Sequence, residues 1–295
     1  MTSFDYTFLP SRGPSRSEAA RQGREAVSIV EAGFYVAPSG RRVDLGPEIV
    51  RAVSSSRDYP PELVLEAAAS GPLRSAGAAS TTFRVVNGTS LSVARAMASR
   101  GVRPLVLNFA SAKNPGGGFL SGARAQEESL ARSSALYPTL LRSTMYARHT
   151  EARDPLYTTF VVTAQDVPVF RDDDTGELLE EPYLASFVTS PAPNAGVVLE
   201  RDPARRAEVE QAMRERVRRV LEIARTEGHR ALVLGAWGCG VFGNDPRFVA
   251  RAFATELFGD FANAFDEVVF AVLDWSEERR FVRPFAECFA NLAAV

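Results

Sequence analysis

The chain has few side chains that bind metals. Two histidines, His149 and His229, and two cysteines, Cys239 and Cys288, are spread over 295 residues and form no CxxC pair. Structural zinc needs four Cys or His ligands at short spacing, so no metal site is expected. There is no GKS or GKT tripeptide, which excludes a Walker phosphate loop. No window approaches 18 consecutive apolar residues, and the opening MTSFDYTFLPSRG lacks the basic-then-apolar order of a secretory signal. The expectation is a soluble, cytoplasmic protein with no membrane partner. Neither sign of charge dominates: 34 Lys and Arg against 36 Asp and Glu leave a net −2. A polyanionic ligand must then be held by local groups rather than by a basic surface, and direct DNA binding is not expected.

With 45% apolar residues, the length suffices for one substantial core or two modest ones. From Ser15, SRSEAARQGREAVSIVEAG predicts a helix with Ser15 and Glu18 as a capping box and Gly33 as its stop. FYVAPSGRRVDL predicts a hairpin, and PEIVRAVSSS and PELVLEAAAS two short helices. GPLRSAGAAS, residues 71–80, is the candidate boundary between residues 1–80 and 81–295. Beyond it strands and helices alternate: TTFRVVNG, TSLSVARAMASRG, PLVLNFAS, then extended runs around an Asp-Thr-Gly turn. A long helix follows from Asp202, then ALVLGAWG, NDPRFVARAFATELFG, EVVFAVLD and a last helix interrupted near Pro284. This order predicts an α/β fold, with a mostly parallel or mixed sheet covered on both faces.

Two apolar strands end in glycine-rich loops. The first runs into NPGGGFLSGARAQEESLARSS, with Gly116, Gly117 and Gly118 ahead of the adjacent Glu127 and Glu128. Bare glycines let a ligand approach the main chain and let N–H groups converge on its oxygens. Adjacent glutamates on a helix point about 100° apart, so they cannot face each other across a scissile bond and must do different work. One can bind sugar hydroxyls while the other, desolvated and raised in pKa, donates a proton. An isolated Glu-Glu pair would otherwise be a solvated helix start; the glycine triplet changes that reading. The second loop, GAWGCGVFGNDP, leads into a helix start, an arrangement suited to phosphate. Gly238 to Gly243 also matches GxGxxG, with Asp274 where a ribose-binding acid of a nicotinamide enzyme would stand, so a dehydrogenase competes. Phe242 could pack on a ribose or sit in the core. Cys239, with no histidine nearby in sequence, reads as a packed thiol rather than a nucleophile.

Together the two stretches resemble the microbial-type poly(ADP-ribose) glycohydrolases, whose signature is GGG, six to eight residues, then QEE; here Phe119 to Ala125 make seven. The resemblance runs from about residue 80 to the end, and residues 1–80 resemble the accessory helices of that family. It implies a macrodomain-like three-layer α/β/α fold with an N-terminal, mainly helical accessory region. It also implies hydrolysis of the ribose-ribose bond of poly(ADP-ribose), with poly(ADP-ribosyl)ated proteins as partners, ADP-ribose as product and no cofactor. By position, Glu128 resembles the catalytic acid and Glu127 the residue that orients the ribose. Gln126 would hold the pair, Asn114 would approach ribose hydroxyls, and Gly116, Gly117 and Gly118 would shape the loop at the scissile ribose. Gly238, Cys239, Gly240, Val241, Phe242 and Gly243 would cradle the diphosphate. A noncatalytic ADP-ribose reader is the alternative; the intact Gln126-Glu127-Glu128 distinguishes an enzyme from it.

Overall fold

The computed structural model describes residues 13–65 and 80–290. Ser15 accepts the Glu18 N–H at 3.2 Å and caps α1 (Arg16–Ala32), which Gly33 closes in the left-handed region. The hairpin follows as β1 (Phe34–Val36) and β2 (Arg42–Asp44), then α2 (Gly46–Ser55). The second short helix expected from PELVLEAAAS is not formed over residues 61–65, and its remainder lies outside the described residues. Paired prolines at 60 and 61 follow a three-residue strand, β3 (Arg57–Tyr59), and residues 61–65 form a turn and irregular chain. Most of the boundary segment 71–80 also lies outside the described residues.

The alternation after residue 80 gives β4 (Thr82–Val86), α3 (Ser90–Ala98) and β5 (Pro104–Phe109). After β5 come the signature loop, α4 (Gln126–Ser133), α5 (Leu136–Leu140) and α6 (Met145–Ala152). A long antiparallel pair, β6 (Val161–Arg171) and β7 (Leu178–Ser190), turns at Asp172–Gly176. The chain ends with α7 (Ala195–Arg201), α8 (Arg206–Thr226), β8 (Ala231–Leu234), α9 (Pro246–Phe258), β9 (Glu267–Ala271) and α10 (Val282–Ala290). Pro284 falls in the first turn of α10 rather than interrupting it, a position where its missing N–H costs nothing.

One seven-stranded sheet runs β3-β6-β7-β5-β8-β9-β4. The five strands from β7 to β4 are parallel, while β6 pairs antiparallel with β7 and with β3. Alternate residues of each strand feed opposite faces. Val106, Val233 and Val269 pack with α1 to α6, while Leu105, Leu107, Leu232 and Phe270 pack with α8, α9 and α10. That is the expected three-layer α/β/α arrangement with a mixed sheet. Residues 13–65 are more closely integrated than the sequence implied, because β3 is the sheet's edge strand. β5 and β8 are neighbours, so their glycine-rich loops emerge side by side at the carboxyl ends of the strands, where ligands bind in open α/β sheets.

Candidate active site

Gln126 fixes the start of α4. Its side-chain oxygen accepts the Phe109 N–H at 2.9 Å, and its amide donates to the Leu107 carbonyl at 2.8 Å and the Ser90 hydroxyl at 3.1 Å. The side chain thus continues the hydrogen bonding of β5 and places the next two residues over the strand end. Glu127 and Glu128 follow in the first helical turn, where the helix dipole favours negative charge. Both are buried, at 3% and 8% exposure.

The two carboxyls are held differently. Glu127 Oε2 accepts the Ser111 N–H at 2.6 Å and Oε1 accepts from the Asn108 amide at 3.3 Å. Glu128 Oε1 accepts the Gly118 N–H at 2.9 Å, whereas Oε2 is buried with no partner. Burial pushes Glu127 up to about 8, with the Glu128 charge adding to the rise and the Ser111 and Asn108 donors opposing it. The raised pKa expected of one of the two carboxyls therefore falls on Glu127.

The glycine triplet serves these carboxylates more directly than it serves a ligand. A Cβ on Gly117 would stand 2.2 Å from Glu128 Oε1 and 3.1 Å from Glu127 Oε2, and its φ is +61°. The Gly118 N–H holds Glu128, and Gly116 is packed beneath Phe119 and Tyr137. These three glycines do not line the cavity, and neither does Asn114. Asn114 is exposed and helps build the loop: its carbonyl accepts the Gly117 N–H, and its own N–H donates to Ser111 Oγ.

A cavity of about 730 Å³ lies over both glutamates and reaches the second loop. Gly238, Cys239, Gly240, Val241 and Phe242 line it, while Gly243 lies outside. Gly238 has φ +71°, and a Cβ there would meet Ala192 and the Asn244 amide within 2.6 Å. Asn244 locks the turn by donating to the carbonyls of Pro193 and Gly238. The Cys239, Gly243 and Asn244 N–H groups bond within the loop; those of Gly238, Gly240, Val241 and Phe242 have no acceptor among the described residues. Four main-chain donors of the cavity-lining loop are therefore left without a protein acceptor ahead of α9, which Asp245 caps. Phe242 packs against Tyr157 at 6.0 Å between ring centres. Cys239 is buried, and burial pushes its thiol up, so it is no nucleophile.

Asp274 does not read a ribose. Its carboxylate accepts from Ser276 N–H and Oγ–H and from the N–H groups of Phe281 and Val282, which fixes the approach to α10. The dehydrogenase reading loses its acidic residue to a local turn. Sequence reasoning missed Ser111, Thr89, Asp173 and Arg132, all of which line the cavity. Only Asn108, polar within the apolar strand PLVLNF, gave a signal of the support behind Glu127.

The model of the microbial-type PARG catalytic domain matches residues 23–172, which spans the Gly-Gly-Gly loop, the Gln-Glu-Glu helix and the helices before them. The chain belongs to the microbial-type poly(ADP-ribose) glycohydrolases. Similar solved structures agree. The poly(ADP-ribose) glycohydrolase of Thermomonospora curvata bound to the inhibitor ADP-HPD is 45% identical, with a TM-score of 0.85 over 92% of this chain and 99% of that one. The glycohydrolase of Deinococcus radiodurans in complex with ADP-ribose is 39% identical, with a TM-score of 0.76 over 85% and 99%. Among curated proteins no match was found. Membership makes this glycohydrolase a glycoside hydrolase acting on poly(ADP-ribose).

Proposed function

We propose that the enzyme releases ADP-ribose from poly(ADP-ribose), including polymer carried on modified proteins, by acid-base catalysis at Glu128. The observation that carries this is the unequal use of the two carboxyls: Glu127 has both oxygens bonded, while Glu128 keeps Oε2 without a partner in the cavity wall. Glu127 orients the terminal ribose. Glu128 protonates the bridging oxygen of the ribose-ribose bond; the C1–O bond breaks and the leaving polymer departs as an alcohol. The oxocarbenium-like ribose is stabilised by the nearby diphosphate. Glu128, now a carboxylate, takes a proton from water, whose oxygen bonds to C1 and gives ADP-ribose. The N–H groups of Gly238, Gly240, Val241 and Phe242 would hold the diphosphate. Residues 1–80 act as an accessory unit: α1 packs on α4 and on the 119–121 turn. The cytoplasm is the proposed location, in keeping with the absence, among the described residues, of any helix long and apolar enough to cross a membrane.

The test is product analysis after incubation with automodified polymer. Free ADP-ribose accumulating with time supports the proposal. Binding of polymer with no release would make the protein a reader, and NAD bound more tightly than ADP-ribose would restore the nicotinamide reading.

A further inference from the structure

Arg132 is an anomaly beside this site. It lies four residues after Glu128 on α4, a spacing that puts Cβ atoms about 6 Å apart on one face. It is 4% exposed and lines the cavity. Its guanidinium has five donors, yet among the described residues only one bond, a long one of 3.4 Å to the Ala123 carbonyl, holds it, and no carboxylate of those residues lies within ion-pairing distance. A buried cation without a counter-ion is costly, so the position calls for an explanation. Its backbone is fixed, because Arg171 Nε donates to the Arg132 carbonyl at 3.0 Å.

Two acids flank it without touching it. One is Glu128; the other is Asp173, at the tip of the β6–β7 hairpin. Asp173 is itself anchored, accepting from Thr89 Oγ at 2.9 Å and from Ser129 Oγ, the residue after Glu128, at 3.2 Å. Charges therefore alternate across the side of α4 as Glu128, Arg132, Asp173. Resting on the reading of Glu128 as the acid, we propose that Arg132 is a positioning residue, which steadies the Glu128 carboxylate between its two proton transfers while Asp173 limits that pull.

Arg280, Asp174 and Asp274 line the same cavity, Asp274 being held by Ser276, Phe281 and Val282. Glu127 is on the same helix, and Arg124, just before α4, donates to the Pro14 carbonyl. From β6, Arg171 is paired with Glu25 of α1 at 2.9 Å, and Glu18 and Arg21 of α1 pair with each other. Asp172 on the hairpin pairs with Arg95 of α3. Tyr146 of α6, held neutral by burial, and Tyr137 of α5 complete the surroundings, and β5 supplies no charged side chain. Burial raises Asp173 to about 6, with the Thr89 and Ser129 hydroxyls opposing the rise.

The experiment measures kcat against pH on polymer, with ADP-ribose affinity measured separately. The alkaline limb of kcat reports loss of the acid's proton in the bound complex. Removing a positive neighbour favours the protonated acid, so Arg132→Met should move that limb up by roughly one pH unit and lower kcat about tenfold. ADP-ribose affinity should stay within about threefold, since no contact to the ligand is removed. Asp173→Asn removes a negative neighbour and should move the limb down; Arg132→Lys should keep the wild-type profile. A merely structural role predicts equal damage from Met and Lys with the limb in place. An unmoved limb in Arg132→Met, or a shift of the same sign in Arg132→Met and Asp173→Asn, overturns the proposal, as does an affinity loss beyond about tenfold, which would make Arg132 a ligand for phosphate. Should Arg132→Met not fold, Asp173→Asn decides alone, and a limb that stays or rises is contrary. A wild type that releases no ADP-ribose fails the underlying reading instead, and is a separate result.

Discussion

At the scale of single residues, the site is built by differences between near neighbours. Glu127 and Glu128 share a helical turn, yet one is saturated by donors and the other keeps an oxygen open. Gly117 is the residue that permits this. Gly117→Ala should displace the Glu128 carboxyl and cut turnover at least tenfold, roughly what small misplacements of reacting groups cost; unchanged kcat would mean the carboxyl adjusts freely. Glu127 also makes a prediction about stability. Its pKa is raised on folding from 4.5 to about 8, so the stability it contributes is full below pH 4.5 and is lost as pH rises through 8. Glu127→Gln has no such loss. Thermal unfolding should show the variant gaining on wild type between pH 5 and pH 8, by several degrees if about 2 kcal/mol is recovered; a difference independent of pH would contradict the assignment. The sequence made the Glu-Glu pair legible because the signature is local. It could not show that the glycines pack against the carboxyls, since that contact exists only once α4 folds back over the loop.

At the scale of elements, two loops at the ends of adjacent parallel strands do the work. The β8 loop offers donors because its glycines let the chain turn without side chains. A Cβ on Gly240 would meet nothing within 4 Å in the free protein, so Gly240→Val should leave thermal stability unchanged while weakening ADP-ribose binding about tenfold or more. Arg247, one residue inside α9, has its side chain 61% exposed and paired with Glu287; Arg247→Ala should change affinity little. Titration calorimetry on both variants decides between a main-chain cradle and a charge-based site, and a larger loss from Arg247→Ala would favour charge. The strand-loop-helix order of both loops was readable from apolar runs and caps. Strand β3 was not, because three residues, Arg57 to Tyr59, carry no alternation and follow a helix directly. Asp173 and Arg132 were equally hidden: their proximity depends on a hairpin that returns some forty residues after α4.

At the scale of the whole molecule, a protein of net charge −2 handles a polyanion. In the proposed reading main-chain donors and sugar contacts hold it without a basic surface, so ADP-ribose affinity should fall only modestly between low and physiological salt; a steep dependence would point to counterion release and to arginines outside the proposed site. The three-layer architecture was legible from the alternation of elements, because each apolar strand and each capped helix announces itself locally. The close union of residues 13–65 with the sheet was not, because it rests on edge pairing and on α1 packing across α4, both long-range in sequence. The central claim is that this assembly presents one acid to the bond it breaks. The most direct measurement is ADP-ribose release from polymer by Glu128→Gln, set beside its affinity for ADP-ribose. The account predicts affinity close to wild type with turnover lower by at least about a hundredfold, and release near the wild-type rate would contradict it.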